Sequence, residues 1–167
     1  MSVWWSKLTR RRDAVRQAVR EADPVLLLQM LAFASVVPLL MRRRLPRLGR
    51  LLEPCPPRRR SAHTADTIIR HFALARRIGS PLVGSGCLTR GVTLCYFCRH
   101  AGIDVALSFG LTRKGDAFTG HCWLTNGDVP FLEHEDPRPL YAHIVTVPDS
   151  SHRAPRYLPA QSDLGSP

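Results

Sequence analysis

The chain has 167 residues, of which 44% are apolar, and a formal net charge of +11. This composition excludes a wholly disordered protein, and the length allows a single domain with its own core and no disulfide support. The excess of positive charge predicts an anionic partner, without choosing among nucleic acid, acidic lipid and acidic peptide. An odd number of cysteines and the lack of a secretory signal pattern predict a reduced, cytoplasmic protein.

The first third of the chain is basic and also holds the most apolar segment. Residues 7–22 are typical of a charged helix, and Pro24 suits the first turn of the helix that follows. For the apolar residues 24–41 a buried core helix is favoured, with interfacial membrane contact and a true membrane span as alternatives. Runs of three arginines lie at residues 10–12, 42–44 and 58–60.

Two further helices are predicted before the pattern changes. Residues 45–60 contain four prolines, and the end of this stretch, EPCPPRRR, is interpreted as a linker or turn. Ser61 is then the expected N-cap of a helix that ends near Arg77. A Gly-Ser-Gly segment then leads to Cys87, which begins a helix that Gly102 closes at the C′ position.

Beyond Gly102 the apolar residues alternate with a period of two, which predicts strands. Asn126-Gly127 predicts a hairpin turn, and Pro130 predicts an edge strand. Helices followed by an antiparallel meander indicate the α+β class. The predicted strands cover residues 105–111, 118–125, 129–132 and 142–147. The expected division is a helical region at 1–57, a catalytic domain at 58–148 and a disordered tail at 149–167.

Cys87 is the candidate nucleophile, because the free N–H groups and the dipole of a helix start favour a thiolate. His121 lies within a predicted strand that could hold it rigidly as the base, with Trp123 on the same face as a shield. The hairpin brings the next strand alongside, so Glu133 at its end is the favoured acid. The weaker candidates for the acid are Asp128, Glu135 and Asp136.

A zinc site is the alternative interpretation of the cysteines. Cys95 and Cys98 form a C-x-x-C pattern, but both fall inside a predicted helix rather than in a metal knuckle. The further ligands would be His100, His121 and Cys122. A zinc-stabilised binding module, and a basic protein that binds membranes or nucleic acid without catalysis, therefore remain as alternative functions.

Two segments resemble the transglutaminase-like leader peptidases of lasso-peptide biosynthesis. They are CLTRGVTLCYFCRHAGIDVALSFGL, which begins with Cys87, and FTGHCWLTNGDVPFLE, which contains His121 and ends at Glu133. The resemblance covers residues 60–147 well. It departs at two points, because the family's acid is usually Asp where this chain has Glu133, and Gly120 stands where Ala is frequent.

The resemblance implies a papain- or transglutaminase-like fold with a triad of Cys87, His121 and Glu133. The implied activity is removal of the leader from a ribosomally made precursor peptide. The implied partners are that precursor, a separate leader-recognition protein and a macrolactam-forming cyclase. Peripheral contact with a membrane stays an open alternative, and no nucleic-acid partner is expected. ATP dependence belongs to the coupled system, and no cofactor is expected in this chain.

Overall fold

The structure, a computed structural model, describes residues 15–43, 52, 63–80, 82–84, 86–141 and 143–147. Residues 15–21 are helical, and three helices and four strands follow in that order, which confirms the α+β class. The helices are α1 (Pro24–Arg43), α2 (Ala65–Ile78) and α3 (Cys87–His100), and the strands are β1 (Ala106–Lys114), β2 (Ala117–Asn126), β3 (Val129–Phe131) and β4 (His143–Val147).

Helix α1 buries a narrow stripe of apolar residues and exposes others. Asp23 caps it, with Oδ1 accepting hydrogen bonds from the N–H groups of Val25 and Leu26. In the described part of the chain it is the one helix that by length and composition could cross a membrane, and 28% of its apolar window is buried. Its buried stripe comprises Leu26, Leu27, Met30, Ala34 and Val37, and its exposed apolar residues include Val25, Leu28, Val36, Leu39 and Leu40.

Helix α2 begins later than the sequence predicted. Thr64 is the N-cap, and its hydroxyl accepts a hydrogen bond from the N–H of Thr67, whereas the predicted cap Ser61 lies outside the described residues. His71 ties α2 to the start of α1, because its Nε2 accepts from the N–H of Asp23 and its Nδ1 lies 2.7 Å from the Thr67 carbonyl. The two helices therefore share one core.

Helix α3 ends as its glycine predicted. Gly102 has a φ of +83°, and its N–H donates to the carbonyl of Arg99. The N–H of Ile103 reaches back to the carbonyl of Cys98, which completes a Schellman motif. Ile103 itself is buried in the core, so the same turn that stops the helix also fixes the entry into β1.

The strands form one antiparallel sheet in the order β3-β2-β1-β4. The meander prediction is correct for the first three strands, but β4 returns across a 3-10 turn at Arg138–Leu140 to pair with β1, which gives a Greek key. The predicted hairpin at Asn126-Gly127 is displaced by one residue. Asn126 pairs with Val129, so the loop consists of Gly127 and Asp128. Pro130 lies on an edge strand, as predicted.

Helix α3 packs against one face of the sheet at a close approach. A Cβ on Gly91 would lie 2.7 Å from Leu107 Cδ1 and 3.3 Å from Cys122 Sγ, so a side chain here would force Leu107 to move. Leu124, which pairs with Leu107, is buried on the same face. The predicted linker at 53–60 and the predicted tail at 149–167 lie outside the described residues.

Candidate active site

Cys87 is the first residue of α3 and is partly exposed. Gly86 caps the helix without a side chain, so the first N–H groups of α3 remain near the thiol. The thiol borders a small cavity between α3 and β2 that Cys122 and Glu133 also line. The structure therefore puts the predicted nucleophile at a helix start and beside the sheet.

Cys122 is the residue of β2 that meets Cys87 across this cavity. Burial raises the pKa of the Cys122 thiol, and the neighbouring Cys87 raises it further. Sequence reasoning considered Cys122 only as a zinc ligand and missed this contact. The signal was present in the strand alternation, since Cys122 shares the face of the apolar residues Leu124 and Phe109 that pack toward the helices.

His121 leaves β2 on the opposite face, because consecutive strand residues point to opposite sides. Its ring packs beside those of Trp123 and Tyr141, with a centroid separation of 6.0 Å to each, and those two rings lie 5.6 Å from one another. Trp123 is fully buried and shares the face of His121, as the sequence predicted. Two aromatic rings thus fix the imidazole while leaving its side chain 29% exposed.

Glu133 approaches His121 from the segment that follows β3. Its Oε2 lies 3.8 Å from His121 Nε2, and its side chain is 18% exposed. Its Oε1 accepts a hydrogen bond of 3.2 Å from Arg90 Nη1. The carboxylate therefore lies between the imidazole of β2 and a guanidinium of the first turn of α3.

Glu133 lies near both His121 and the cavity that Cys87 borders, but His121 and the cavity-lining Cys122 leave β2 on opposite faces. Among the described residues, no hydrogen bond joins the Cys87 thiol to the His121 imidazole. Catalytic contacts are often long in structures without substrate and shorten when substrate binds.

The weaker acid candidates lie in other surroundings. Asp136 binds the side chain of Arg138, whose hydrogen bonds lower the pKa of this carboxyl. Asp128 belongs to the β2–β3 loop, where its carbonyl oxygen accepts from Arg138 Nη1. Glu135 is exposed beyond the turn. Of the four acids, Glu133 is the one that forms an ion pair with His121.

The C-x-x-C cysteines are buried in the middle of α3. Burial raises the pKa of Cys95 and of Cys98 to about 12 in each case. Within the described ranges, no group of three or more His, Cys, Asp or Glu side chains is arranged to hold a metal ion. Both thiols instead contribute to the hydrophobic core.

The fold agrees with a comparison against protein families. The family model described as the transglutaminase-like superfamily matches residues 25–146. The chain belongs to the transglutaminase-like superfamily. The superfamily match runs from the first turn of α1 to the end of β4, so it includes all three helices and the whole sheet. No curated protein and no solved structure shows significant similarity to the chain.

Membership in the transglutaminase-like superfamily indicates the class of chemistry. Enzymes of the cysteine-peptidase type are general in the transglutaminase-like superfamily, and they form and break acyl bonds through a cysteine. In this member, Cys87 lies at the start of the helix that packs on the sheet, and His121 lies on a central strand. Membership in the superfamily therefore indicates acyl transfer to water or to an amine as the class of reaction.

Proposed function

We propose that this protein is a cysteine peptidase that removes the leader from a ribosomally made precursor peptide. The observation that carries the proposal is the position of Glu133, 3.8 Å from His121 and on the cavity that Cys87 borders. A nucleophile at a helix start, an imidazole on a strand and a carboxylate beside that imidazole are the parts that thiol acyl transfer needs.

In this mechanism the Cys87 thiolate attacks the carbonyl carbon at the junction of leader and core. The N–H groups at the start of α3 stabilise the oxyanion that forms. The His121 imidazolium, stabilised by Glu133, gives its proton to the leaving amine, and a thioester remains on Cys87. Water then attacks the thioester with His121 as base, which releases the carboxylic acid and restores the thiol.

The precursor substrate is proposed from the segments that begin with Cys87 and contain His121, which resemble leader peptidases of lasso-peptide biosynthesis. A cleft of about 450 Å³ next to Glu133 offers room for substrate side chains. Phe72, Leu94 and Leu132 give it an apolar lining, and Arg76 adds a positive charge. A separate leader-recognition protein and a macrolactam-forming cyclase are the proposed partners, with ATP used by the coupled system and no cofactor in this chain.

The test is cleavage of a cognate precursor peptide by purified wild-type protein and by the Cys87→Ala variant, followed by mass spectrometry. We expect the variant to fold normally and to lose cleavage by about 10⁴-fold or more, because the nucleophile is absent. Cys98→Ala is the matched control, since it removes a buried thiol from the same helix. Cleavage at the wild-type rate by folded Cys87→Ala protein would contradict the proposal.

A further inference from the structure

Arg90 holds the turn that carries Glu133 with both arms of its guanidinium. Nη1 donates to Glu133 Oε1 at 3.2 Å, and Nη2 donates to the carbonyl oxygen of Leu132 at 3.0 Å. A planar guanidinium fixes two acceptors at once in a way that the single ammonium of lysine does not. One side chain from the first turn of α3 therefore sets both the backbone and the carboxylate of this turn.

The turn needs such a restraint because Leu132 is strained. Its φ is +66°, and it is the one non-glycine residue with positive φ in the described part of the chain. A β-carbon makes this left-handed conformation unfavourable for leucine, and neighbouring structure must hold it there. The bond from Arg90 to the Leu132 carbonyl is a restraint of that kind.

The direction of the Glu133 side chain follows from this strained residue. Leu132 immediately precedes Glu133, so a return of Leu132 to negative φ would redirect the carboxylate away from His121. The titratable groups around Glu133 are Arg90 on α3, His121 on β2, the thiols of Cys87 and Cys122 across the cavity, and Arg76 and His134 along the cleft. Of these, Arg90 is the group that bonds both Glu133 and the strained residue before it.

We propose that Arg90 is a positioning residue, which keeps Leu132 in the left-handed conformation and thereby holds the Glu133 carboxylate beside His121. This inference rests on the proposed function of Cys87, His121 and Glu133. It assigns to Arg90 no contact with substrate, and its effect on catalysis passes through the turn.

The first experiment is Arg90→Lys, which keeps the positive charge and loses the two-armed contact. We expect kcat for precursor cleavage to fall about tenfold or more with KM nearly unchanged, because the carboxylate is misplaced. A rise in KM alone would instead show that Arg90 binds substrate and would overturn the proposal.

The second experiment separates backbone restraint from a general structural role. Glycine adopts positive φ without cost and alanine does not, while both remove the leucine side chain. Both double variants lose the leucine side chain equally, so we expect a clearly higher kcat for Arg90→Lys with Leu132→Gly than for Arg90→Lys with Leu132→Ala. Equal activity of the two double variants would overturn the proposal.

A third measurement does not depend on peptidase activity. The melting temperatures of Arg90→Lys, Glu133→Gln and the double variant form a cycle that reports whether the two residues act together. We expect the double variant to lose clearly less stability than the sum of the single losses. If the single losses simply add, Arg90 and Glu133 do not act together and the proposal is overturned. If the losses are not additive but the protein cleaves no precursor, the proposed function fails while the contact between Arg90 and Glu133 stands.

Discussion

Gly110 is the residue on which the setting of His121 depends most closely. It pairs with His121 across β1 and β2, and a Cβ at this position would lie 2.6 Å from Tyr141 Cγ and 2.9 Å from Trp123 Cη2. These are the two rings that stack on the imidazole. The absence of a side chain at Gly110 is thus what allows Tyr141 to lie against the sheet.

We expect Gly110→Ala to destabilise the protein by about 1–3 kcal/mol, because the new methyl group displaces the ring of Tyr141 and the buried ring of Trp123. It should also lower the cleavage rate, since His121 loses a stacking partner. Urea unfolding and the cleavage assay measure the two effects. Gly120→Ala is the matched control on the neighbouring strand, where the nearest side-chain atom would be Leu111 Cδ2 at 3.3 Å. Similar losses in both variants would contradict this account.

At the scale of residues, the sequence predicts which side chains lie near one another better than it predicts the hydrogen bonds that hold them. The hairpin logic that chose Glu133 brings its carboxylate beside His121, because pairing of β2 with β3 follows from local turn chemistry. The two hydrogen bonds of the Arg90 guanidinium join residues 42 and 43 positions apart in the sequence, and no local sequence pattern predicts contacts over such a separation. The positive φ of Leu132 was equally hidden, since leucine carries no signal for it.

At the scale of elements, each helix end has a distinct and testable cause. The Asp23 carboxylate accepts hydrogen bonds from two backbone N–H groups at the start of α1. The hydrogen bond from Leu26 is the main reason that the pKa of Asp23 is lowered. A lowered pKa stabilises the fold above the pKa of the unfolded chain, and this contribution is lost as the pH falls.

We expect Asp23→Ala to lower the melting temperature by a few degrees at pH 7, and Asp23→Asn to lower it less because asparagine also caps. The gap between wild type and Asp23→Ala should narrow as the pH falls below about 4, where the carboxyl takes up its proton. Circular dichroism melts at several pH values measure this. A gap that is constant down to pH 2.5 would contradict the assigned role of the carboxylate.

The element boundaries show where sequence patterns are sufficient. Gly102 predicted the end of α3 because a left-handed C′ residue is a local requirement. Ser61 and Thr64 are both acceptable caps, and the choice of Thr64 is not fixed by residue type alone. The pairing of β4 with β1 was missed because it depends on the path of the 3-10 connection rather than on the alternation within either strand.

At the scale of the whole molecule, the four cysteines that the structure describes differ in environment. Cys95 and Cys98 have pKa values raised to about 12 by burial, and burial also raises that of Cys122. Cys87 is the partly exposed thiol among the cysteines that the structure describes. Cys55 lies outside the described residues, so the decisive measurement uses a Cys55→Ser background.

That measurement is the rate of iodoacetamide alkylation at pH 6, with the modified cysteine identified by peptide mapping. The account predicts rapid and selective labelling of Cys87, and a rate at least about tenfold lower in His121→Ala, because the imidazolium stabilises the thiolate. Equal rates in the two proteins, or prior labelling of Cys95, Cys98 or Cys122, would contradict the claim that His121 activates Cys87.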